Sequence, residues 1–185
     1  MYRPPLQLPE YLQPIFIEDQ HPSCIDEEAL LAACTMSRGK TRGPGGQHRN
    51  KVQTMVEYVH KATGITGAAG ERRSPAENAR VALRRLRLSL AWRVRSWPSE
   101  PTPTALWQSR CRKGRIACNP SHNDYPAMLA EALDHVFNES LDQRKAALRL
   151  DCSASQLIRL VADHAPALQW WNAARTHKGM RPLRP

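Results

Sequence analysis

Residues 42–90 read RGPGGQHRNKVQTMVEYVHKATGITGAAGERRSPAENARVALRRLRLSL, and they pass from a glycine-rich loop to a cationic helical pattern. Apolar and polar residues alternate over residues 51–60, which predicts a β-strand. The Ala62-Thr63-Gly64 turn leads into residues 65–69, and two short strands joined by such a turn form a β-hairpin. The segment therefore predicts a small β-sheet directly after a loop of glycines and cations at residues 37–51.

A strong helix start follows this hairpin. Ser74 is placed to cap the helix, Pro75 occupies its first position, and Glu77 completes a capping box. Leucines then recur at helical spacing up to a predicted helix end at Trp97. A small sheet with one long packed helix is an α+β arrangement, and we expect residues 25–97 to form such a domain.

Prolines and further capping signals divide the rest of the chain. Five prolines in residues 1–24 predict an irregular N-terminal arm. Residues 98–104 hold three prolines and are predicted to form a stiff linker. Residues 105–185 carry apolar stripes and two capping boxes, which begin at Ser140 and Ser153 and predict a small all-α helical unit. Within it we expect a helix-turn-helix-like segment at 145–161 and a short basic tail at 175–184.

The charge of the chain is strongly positive and unevenly spread. It has 185 residues, with 27 Lys and Arg against 17 Asp and Glu, for a net charge of +10. Residues 35–97 alone hold fourteen basic and three acidic residues, and such a block repels itself unless a polyanion lies against it. Nucleic acid is the expected partner, with an anionic membrane surface as a weaker alternative. No apolar run approaches the ~18 residues that span a bilayer, so we do not expect a membrane protein.

The five cysteines are an odd number and are widely spaced. The first 24 residues are rich in proline and acidic residues, unlike a secretory signal or a mitochondrial transit peptide. We therefore expect free thiols in a reducing cytoplasm. Cys111, Cys118 and His122 match no zinc-binding spacing, and we expect neither a metal nor another cofactor.

The tripeptide Gly45-Gly46-Gln47 carries the chemistry of this sequence. Glycine has no Cβ, so its backbone N–H group can approach a substrate closely and stabilise an ester oxygen as charge develops there. Gln47 is neutral at every pH and can orient a water molecule, but it cannot act as a strong base. Because no Ser/His/Asp triad or carboxylate pair accompanies the loop, positioning and electrostatics must supply the rate.

The longer string Arg42–Lys51 resembles the catalytic loop of the class I peptide-chain release factors and the related ribosome-rescue hydrolases. Features that follow the loop in that family occur here in the same order: Asn50-Lys51, Thr63-Gly64-Ile65, Glu71-Arg72-Arg73-Ser74 and Asn78. The resemblance covers residues 25–92. It implies a peptidyl-tRNA hydrolase, without a cofactor, that acts at the peptidyl-transferase centre of the large ribosomal subunit. We also expect a monomer.

The resemblance implies that Gly45, Gly46 and Gln47 are catalytic. The Gln47 N–H would stabilise the transition state near the terminal adenosine of peptidyl-tRNA, and its side chain would exclude nucleophiles larger than water. A set of cationic and polar residues would contact ribosomal RNA, namely Arg38, Lys40, Arg42, His48, Arg49, Asn50, Lys51, Arg72, Arg73, Arg80, Arg84 and Arg87. The alternative for the last three arginines is an ordinary solvated helix face.

The function that we expect is codon-independent rescue of stalled ribosomes. Codon-specific release factors are longer and read stop codons with Pro-x-Thr or Ser-Pro-Phe, and neither tripeptide occurs in these 185 residues. One alternative is a non-catalytic RNA-binding or ribosome-assembly protein. Another is a regulator that contacts nucleic acid through Ser155, Gln156 and Arg159, although tight helical pairs of this kind are often packing units. The glycines followed by glutamine favour the enzyme, because binding alone does not require them.

Overall fold

The computed structural model describes residues 6–18, 20–39, 54–96 and 103–185. A 3-10 turn at Glu10–Leu12 comes first in these ranges. The helices and strands then follow in the order β1 (Ile15–Ile17), α1 (Glu27–Ala32), β2 (Cys34–Gly39), β3 (Met55–His60), β4 (Thr66–Ala69), α2 (Pro75–Arg93), β5 (Val94–Ser96), α3 (Ala105–Arg110), β6 (Cys111–Arg112), β7 (Arg115–Ile116), α4 (Tyr125–Asn138), α5 (Gln143–Arg149), α6 (Ala154–Ala162) and α7 (Ala165–His177).

The chain divides into two compact units. Pro22–Leu90 forms the first unit, and the second joins Ala91–Pro185 with the N-terminal residues up to His21. Strands and helices of this number and order confirm the predicted α+β class. The predicted domain boundaries stay predictions, and residues 97–102 of the proline-rich stretch lie outside the described residues. No helix in the described ranges is long and apolar enough to cross a membrane.

The first unit is built on a three-stranded antiparallel sheet in the order β2-β3-β4. Alternate residues of β3 are buried, as the alternating pattern predicted. Strand β2 was not expected, because the sequence analysis assigned residues 37–51 to a loop. Its residues 35–38 are exposed, so it has almost no apolar periodicity, and its backbone pairing with β3 makes it a strand.

Helix α2 begins as predicted and ends earlier. The Ser74 hydroxyl accepts a hydrogen bond from Glu77 N at 3.4 Å, which is the expected cap. The helix ends at Arg93 instead of Trp97, because residues 94–96 leave it to form β5. Strand β5 pairs in parallel with β1, a partner almost eighty residues away that no local signal could reveal.

The second unit incorporates the N-terminal segment, which was predicted to be an irregular arm. That prediction is wrong for β1, which pairs with β5. The indole N–H of Trp170 donates to the Leu12 carbonyl at 2.9 Å, so helix α7 also holds the segment. The prolines prevent a regular α-helix here, yet they leave room for a short strand and a 3-10 turn.

A buried ion pair lies where β5 meets the helices of the second unit. The Arg95 guanidinium lies 3.7 Å from a carboxylate oxygen of Asp134 and stacks 5.0 Å from the Trp170 ring centre. Burial raises the pKa of Asp134 to about 7, whereas the Arg95 charge acts in the opposite direction. The Ser96 hydroxyl donates to the same carboxylate at 2.8 Å. These contacts tie β5 to α4 and α7, although the buried Nε of Arg95 has no hydrogen-bond partner among the described residues.

The C-terminal helices match the predicted capping signals only in part. Ser153 caps α6 as expected and accepts a hydrogen bond from Gln156 N at 3.3 Å. Helix α5 is capped by Asp142 instead of Ser140, because Ser140 and the next residue have positive φ and form a turn. The predicted basic tail is folded: its first part belongs to α7, and Leu183 N donates to the Asn172 side chain at 2.7 Å.

Gly67 is the point where the sheet comes closest to α2. A Cβ atom built on Gly67 would lie 2.4 Å from the Ala82 carbonyl oxygen and 2.4 Å from Leu86 N. Both atoms belong to the helix backbone, so no side chain can turn away to make room. Only glycine permits strand β4 and helix α2 to approach this closely.

We predict that Gly67→Ala lowers the free energy of unfolding by about 3 kcal/mol, because the added methyl group forces β4 and α2 apart. The matched control is Gly64→Ala, where the backbone has φ +67 but a Cβ meets nothing within 4 Å. The control should lose only about 1 kcal/mol. Urea unfolding followed by circular dichroism measures both, and equal losses in the two variants would contradict this account.

Candidate functional site

The glycine-rich segment joins two paired strands of the three-stranded sheet. Gly39, the last residue of β2, lies opposite Met55, the first residue of β3. Residues 40–53 between them lie outside the described residues. They include nine of the predicted site residues: Lys40, Arg42, Gly45, Gly46, Gln47, His48, Arg49, Asn50 and Lys51. The structure describes the frame that carries this segment.

Three pieces of chain meet at the end of the sheet from which the segment leaves. In an antiparallel sheet β2 ends, β3 begins and β4 ends on the same side, which brings Gly39, Thr54 and residues 70–73 to that side. Helix α2 begins directly after residues 70–73. We call this group of Gly39, Thr54 and residues 70–73 the loop end of the sheet.

Asn78 fastens the loop end of the sheet together. Its side chain is completely buried, and its amide nitrogen donates to the Thr54 carbonyl at 2.6 Å and to the Arg72 carbonyl at 2.9 Å. Its amide oxygen accepts from Arg72 N at 2.9 Å. An asparagine side chain offers two donor hydrogens and an acceptor oxygen, so one residue bonds backbone groups of two separate segments. The C-terminal root of the glycine-rich segment is thereby tied to α2.

Arg85 and Glu71 brace the same region from the sheet side. The Arg85 guanidinium lies 2.6 Å from a Glu71 carboxylate oxygen and also donates to the Ala68 carbonyl at 2.8 Å. Several hydrogen bonds lower the pKa of Glu71. The bond from the Gly70 N–H has the largest effect, and the bond from the Arg85 side chain also contributes. Sequence reasoning missed this role of Arg85, because an arginine inside a cationic row does not reveal a partner fourteen residues earlier.

Exposed cations surround the loop end of the sheet. Arg38 precedes the last residue of β2, and Arg72 and Arg73 follow β4. Within the described ranges, none of these three guanidinium groups makes a hydrogen bond or an ion pair, and all three side chains are exposed. Their charges are therefore available to an anionic partner.

The arginine row of α2 is not uniform. Arg80 is exposed, whereas Arg84 and Arg87 are half-buried. Arg87 donates to the carbonyls of Ser23 at 3.3 Å and Ile25 at 2.9 Å, so its guanidinium holds the segment before α1. At a rise of ~1.5 Å per residue, Arg87 also lies about 13 Å along the helix from Asn78. The structure thus gathers Arg38, Arg72 and Arg73 near the segment and places Arg87 away from it.

The described residues offer no group of histidine, cysteine, aspartate and glutamate side chains suited to a metal ion. All five cysteines lie in the described ranges, and no two of them form a disulfide. Burial is the main cause that raises the pKa of Cys152 to about 12, which leaves this thiol protonated at neutral pH. The polar chemistry at the loop end of the sheet consists of guanidinium groups, amides and backbone carbonyls.

Residues 25–115 match the RF-1 domain family. The chain is 27% identical over 126 residues to a mitochondrial peptide chain release factor 1-like protein of Rattus norvegicus, which covers 68% of this chain and 33% of that protein. It is 33% identical over 85 residues to a peptide chain release factor homolog of Escherichia coli, covering 46% and 40% of the two chains.

A third relative is an uncharacterised peptide chain release factor-like mitochondrial protein of Saccharomyces cerevisiae, 32% identical over 74 residues, with coverages of 40% and 48%. The chain spans about one third of the length of the rat protein and less than half of the other two. No solved structure matches the chain. The matched region contains the sheet, α2 and the glycine-rich segment.

We predict that Asn78→Ala releases the C-terminal root of the glycine-rich segment. Three backbone groups would lose their partner, which should cost about 2–4 kcal/mol in the free energy of unfolding. Hydrogen exchange of the amides at Thr54, Met55 and Arg72 should accelerate. Arg80→Ala, at an exposed position two residues further along the same helix, is the matched control. Equal exchange rates at these amides in the two variants would show that Asn78 does not hold the root.

Proposed function

Because this chain belongs to the class I peptide-chain release factor family through its RF-1 domain, we propose that it hydrolyses the ester of peptidyl-tRNA on the ribosome without reading a codon. The observation that carries this proposal is the Gly45-Gly46-Gln47 string between two paired strands whose root is tied by Asn78. The names of the three relatives describe them only as similar to peptide chain release factors.

In the proposed reaction, water attacks the carbonyl carbon of the ester that joins the peptide to the terminal adenosine. The carbon–oxygen bond to the ribose breaks, the ribose oxygen takes up a proton, and the peptide leaves with a free carboxyl group. The backbone N–H of Gln47 donates to the oxygen on which negative charge develops. Gly45 and Gly46 allow this approach, and the Gln47 carboxamide admits water and excludes larger nucleophiles.

Cations on both sides of the tripeptide would orient the segment on ribosomal RNA. Within the segment these are Lys40, Arg42, Arg49 and Lys51, together with the polar His48 and Asn50. Arg38, Arg72 and Arg73 extend the cationic surface onto the loop end of the sheet, and Arg80 and Arg84 continue it along α2. Contacts of this kind position a protein on phosphates without specifying sequence. We assign Arg87 mainly to holding the segment before α1.

The cytoplasmic location and the monomeric state expected from the sequence are also proposals. The rat and yeast relatives are named as mitochondrial proteins, whereas the third comes from a bacterium. The proposed chemistry is the same in either compartment, because its partners are a large ribosomal subunit and peptidyl-tRNA.

We predict that Gly46→Ala reduces peptide release by about 10²–10³-fold, because the added Cβ keeps the Gln47 N–H away from the developing oxyanion and the effect equals that of losing one donor. Release is measured as labelled peptide freed from stalled ribosomes that carry peptidyl-tRNA, with the protein at saturation. Gly39→Ala, at the residue before the segment, is the matched control, because a Cβ there makes only an ordinary contact 3.9 Å from the Met55 sulfur. It is expected to release close to the wild-type rate. A Gly46→Ala protein as fast as the control would contradict a catalytic role for the tripeptide. A wild-type protein that releases no peptide would favour the non-catalytic RNA-binding alternative.

The placement of the arginines leads to a second prediction, on ribosome binding. Arg72→Gln together with Arg73→Gln should weaken binding and reduce the slope of log affinity against log salt by up to about two units, one for each lost phosphate contact. Arg87→Gln should leave that slope unchanged and instead lower the free energy of unfolding by about 1–3 kcal/mol, because two carbonyls lose their donor. Salt titrations of ribosome binding and urea unfolding separate the two effects. A reduced salt slope in Arg87→Gln, together with an unchanged slope in the Arg72 and Arg73 variant, would contradict the geometry.

A further inference from the structure

The second unit carries a short hairpin with an unusual turn. Strands β6 and β7 are joined by Lys113 and Gly114, which have φ of 51° and 74°. A two-residue hairpin turn with positive φ at both positions favours asparagine or glycine, and lysine is uncommon there. Lysine at a position that disfavours it points to a use for its charged side chain.

The hairpin is fixed to the turn between α5 and α6. Ser153 N donates to the Gly114 carbonyl at 3.2 Å, and Ile116 N donates to the Gln156 side-chain oxygen at 3.2 Å. The Cys111 thiol lies 3.5 Å from the Asp151 carbonyl. Both strands and the turn of the hairpin are therefore held, so its side chains project from a fixed base.

Cations dominate the exposed surface of this hairpin. Arg112 and Arg115 lie directly opposite each other in the β6–β7 register, and Lys113 stands at the turn between them. Like charges at opposite positions of a strand pair are destabilising. In the described part of the chain these three side chains make no hydrogen bond or ion pair, and all three are exposed. The neighbouring Arg110 differs, since it is paired with Asp124 at 2.7 Å.

A cleft of about 550 Å³ lies beside the hairpin. It lies against α6, and its lining includes Arg115, Ile116, Gln156, Arg159, Leu160 and Asp163. Arg159 is exposed and extends the cationic surface of the hairpin onto α6. The exposed acids nearby are Asp151 and Asp163. The three cations of the hairpin and Arg159 therefore outnumber the exposed carboxylates by four to two.

We propose that Arg112, Lys113, Arg115 and Arg159 form a second RNA-binding surface, which binds the phosphate backbone of the RNA. We call it the basic hairpin surface. A fixed row of cations with two opposed arginines suits a chain of closely spaced phosphates, and guanidinium groups bind phosphate through paired hydrogen bonds. Bound phosphates would also remove the repulsion between Arg112 and Arg115. The choice of RNA over DNA rests on the proposed function, which places the protein on a ribosome.

The test compares two variants that each lose three positive charges from the second unit. The hairpin variant is Arg112→Gln, Lys113→Asn and Arg115→Gln. The control variant carries Lys178→Gln, Arg181→Gln and Arg184→Gln, three exposed cations at the end of the chain. The probe is a fluorescently labelled RNA stem–loop, and its dissociation constant is measured over a range of salt concentrations with the full chain.

We expect the hairpin variant to bind about tenfold or more weakly and to lose about two to three units of the salt slope, against less than about one unit for the control. Equal losses in the two variants would overturn the proposal, because they would show binding by net charge alone. Stronger binding to a DNA duplex of the same sequence would also overturn it and would favour a regulator that binds DNA.

The single substitution Lys113→Asn separates binding from folding. Asparagine suits the positive φ of this turn, so the melting temperature should stay the same or rise, while RNA binding should weaken by a few fold. Unchanged RNA affinity in this variant would contradict a role for Lys113.

A release assay keeps this proposal distinct from the proposed function. At saturating protein the hairpin variant should release peptide at the wild-type rate, because the tripeptide is unaltered. If the wild-type chain releases no peptide but the hairpin variant still loses RNA affinity selectively, the proposed function fails and the RNA-binding surface stands. If release is intact and RNA affinity matches that of the control, the surface fails instead.

Discussion

The close approach of strand β4 to helix α2 at Gly67 is the constraint on which the first unit depends. Backbone atoms of the helix lie where any Cβ at this position would be, so the distance between sheet and helix is set by the absence of a side chain. With the helix at this distance, the Asn78 amide donates to the Thr54 carbonyl at 2.6 Å, and we expect a helix that is pushed away to weaken this bond. The conformation of the loop root therefore depends on packing one helical turn or more away.

The polar groups around the loop end of the sheet fall into two sets with different roles. Asn78 and the pair of Arg85 with Glu71 are occupied inside the protein and hold the loop end of the sheet. Arg38, Arg72 and Arg73 are exposed beside it and remain available to an anion. A glycine-rich segment needs such a frame, because the backbone of glycine has more conformational freedom than that of any other residue type. In the proposed function, a held root would reduce the entropy that is lost when the segment binds the ribosome.

Local signals in the sequence predicted the elements that have local causes. Strand β3, the start of α2 at Ser74 and the cap of α6 at Ser153 agree with the structure, since alternation and capping are decided within a few residues. Strands β2 and β5 were missed because distant partners make them strands. The same reason hid the role of Arg87, whose carbonyl partners lie more than sixty residues away. The Gly45-Gly46-Gln47 string could be found in the sequence because it is contiguous, and it lies outside the described residues.

The central claim is that Gly45-Gly46-Gln47 acts on the ester of peptidyl-tRNA. The most direct measurement is a cryo-electron microscopy map of the full chain bound to ribosomes that carry peptidyl-tRNA and no stop codon in the decoding site. The account predicts density for Gln47 against the ester at the terminal adenosine, with Arg38, Arg72 and Arg73 on ribosomal RNA phosphates. A bound chain whose tripeptide faces solvent or lies away from the peptidyl-transferase centre would contradict it.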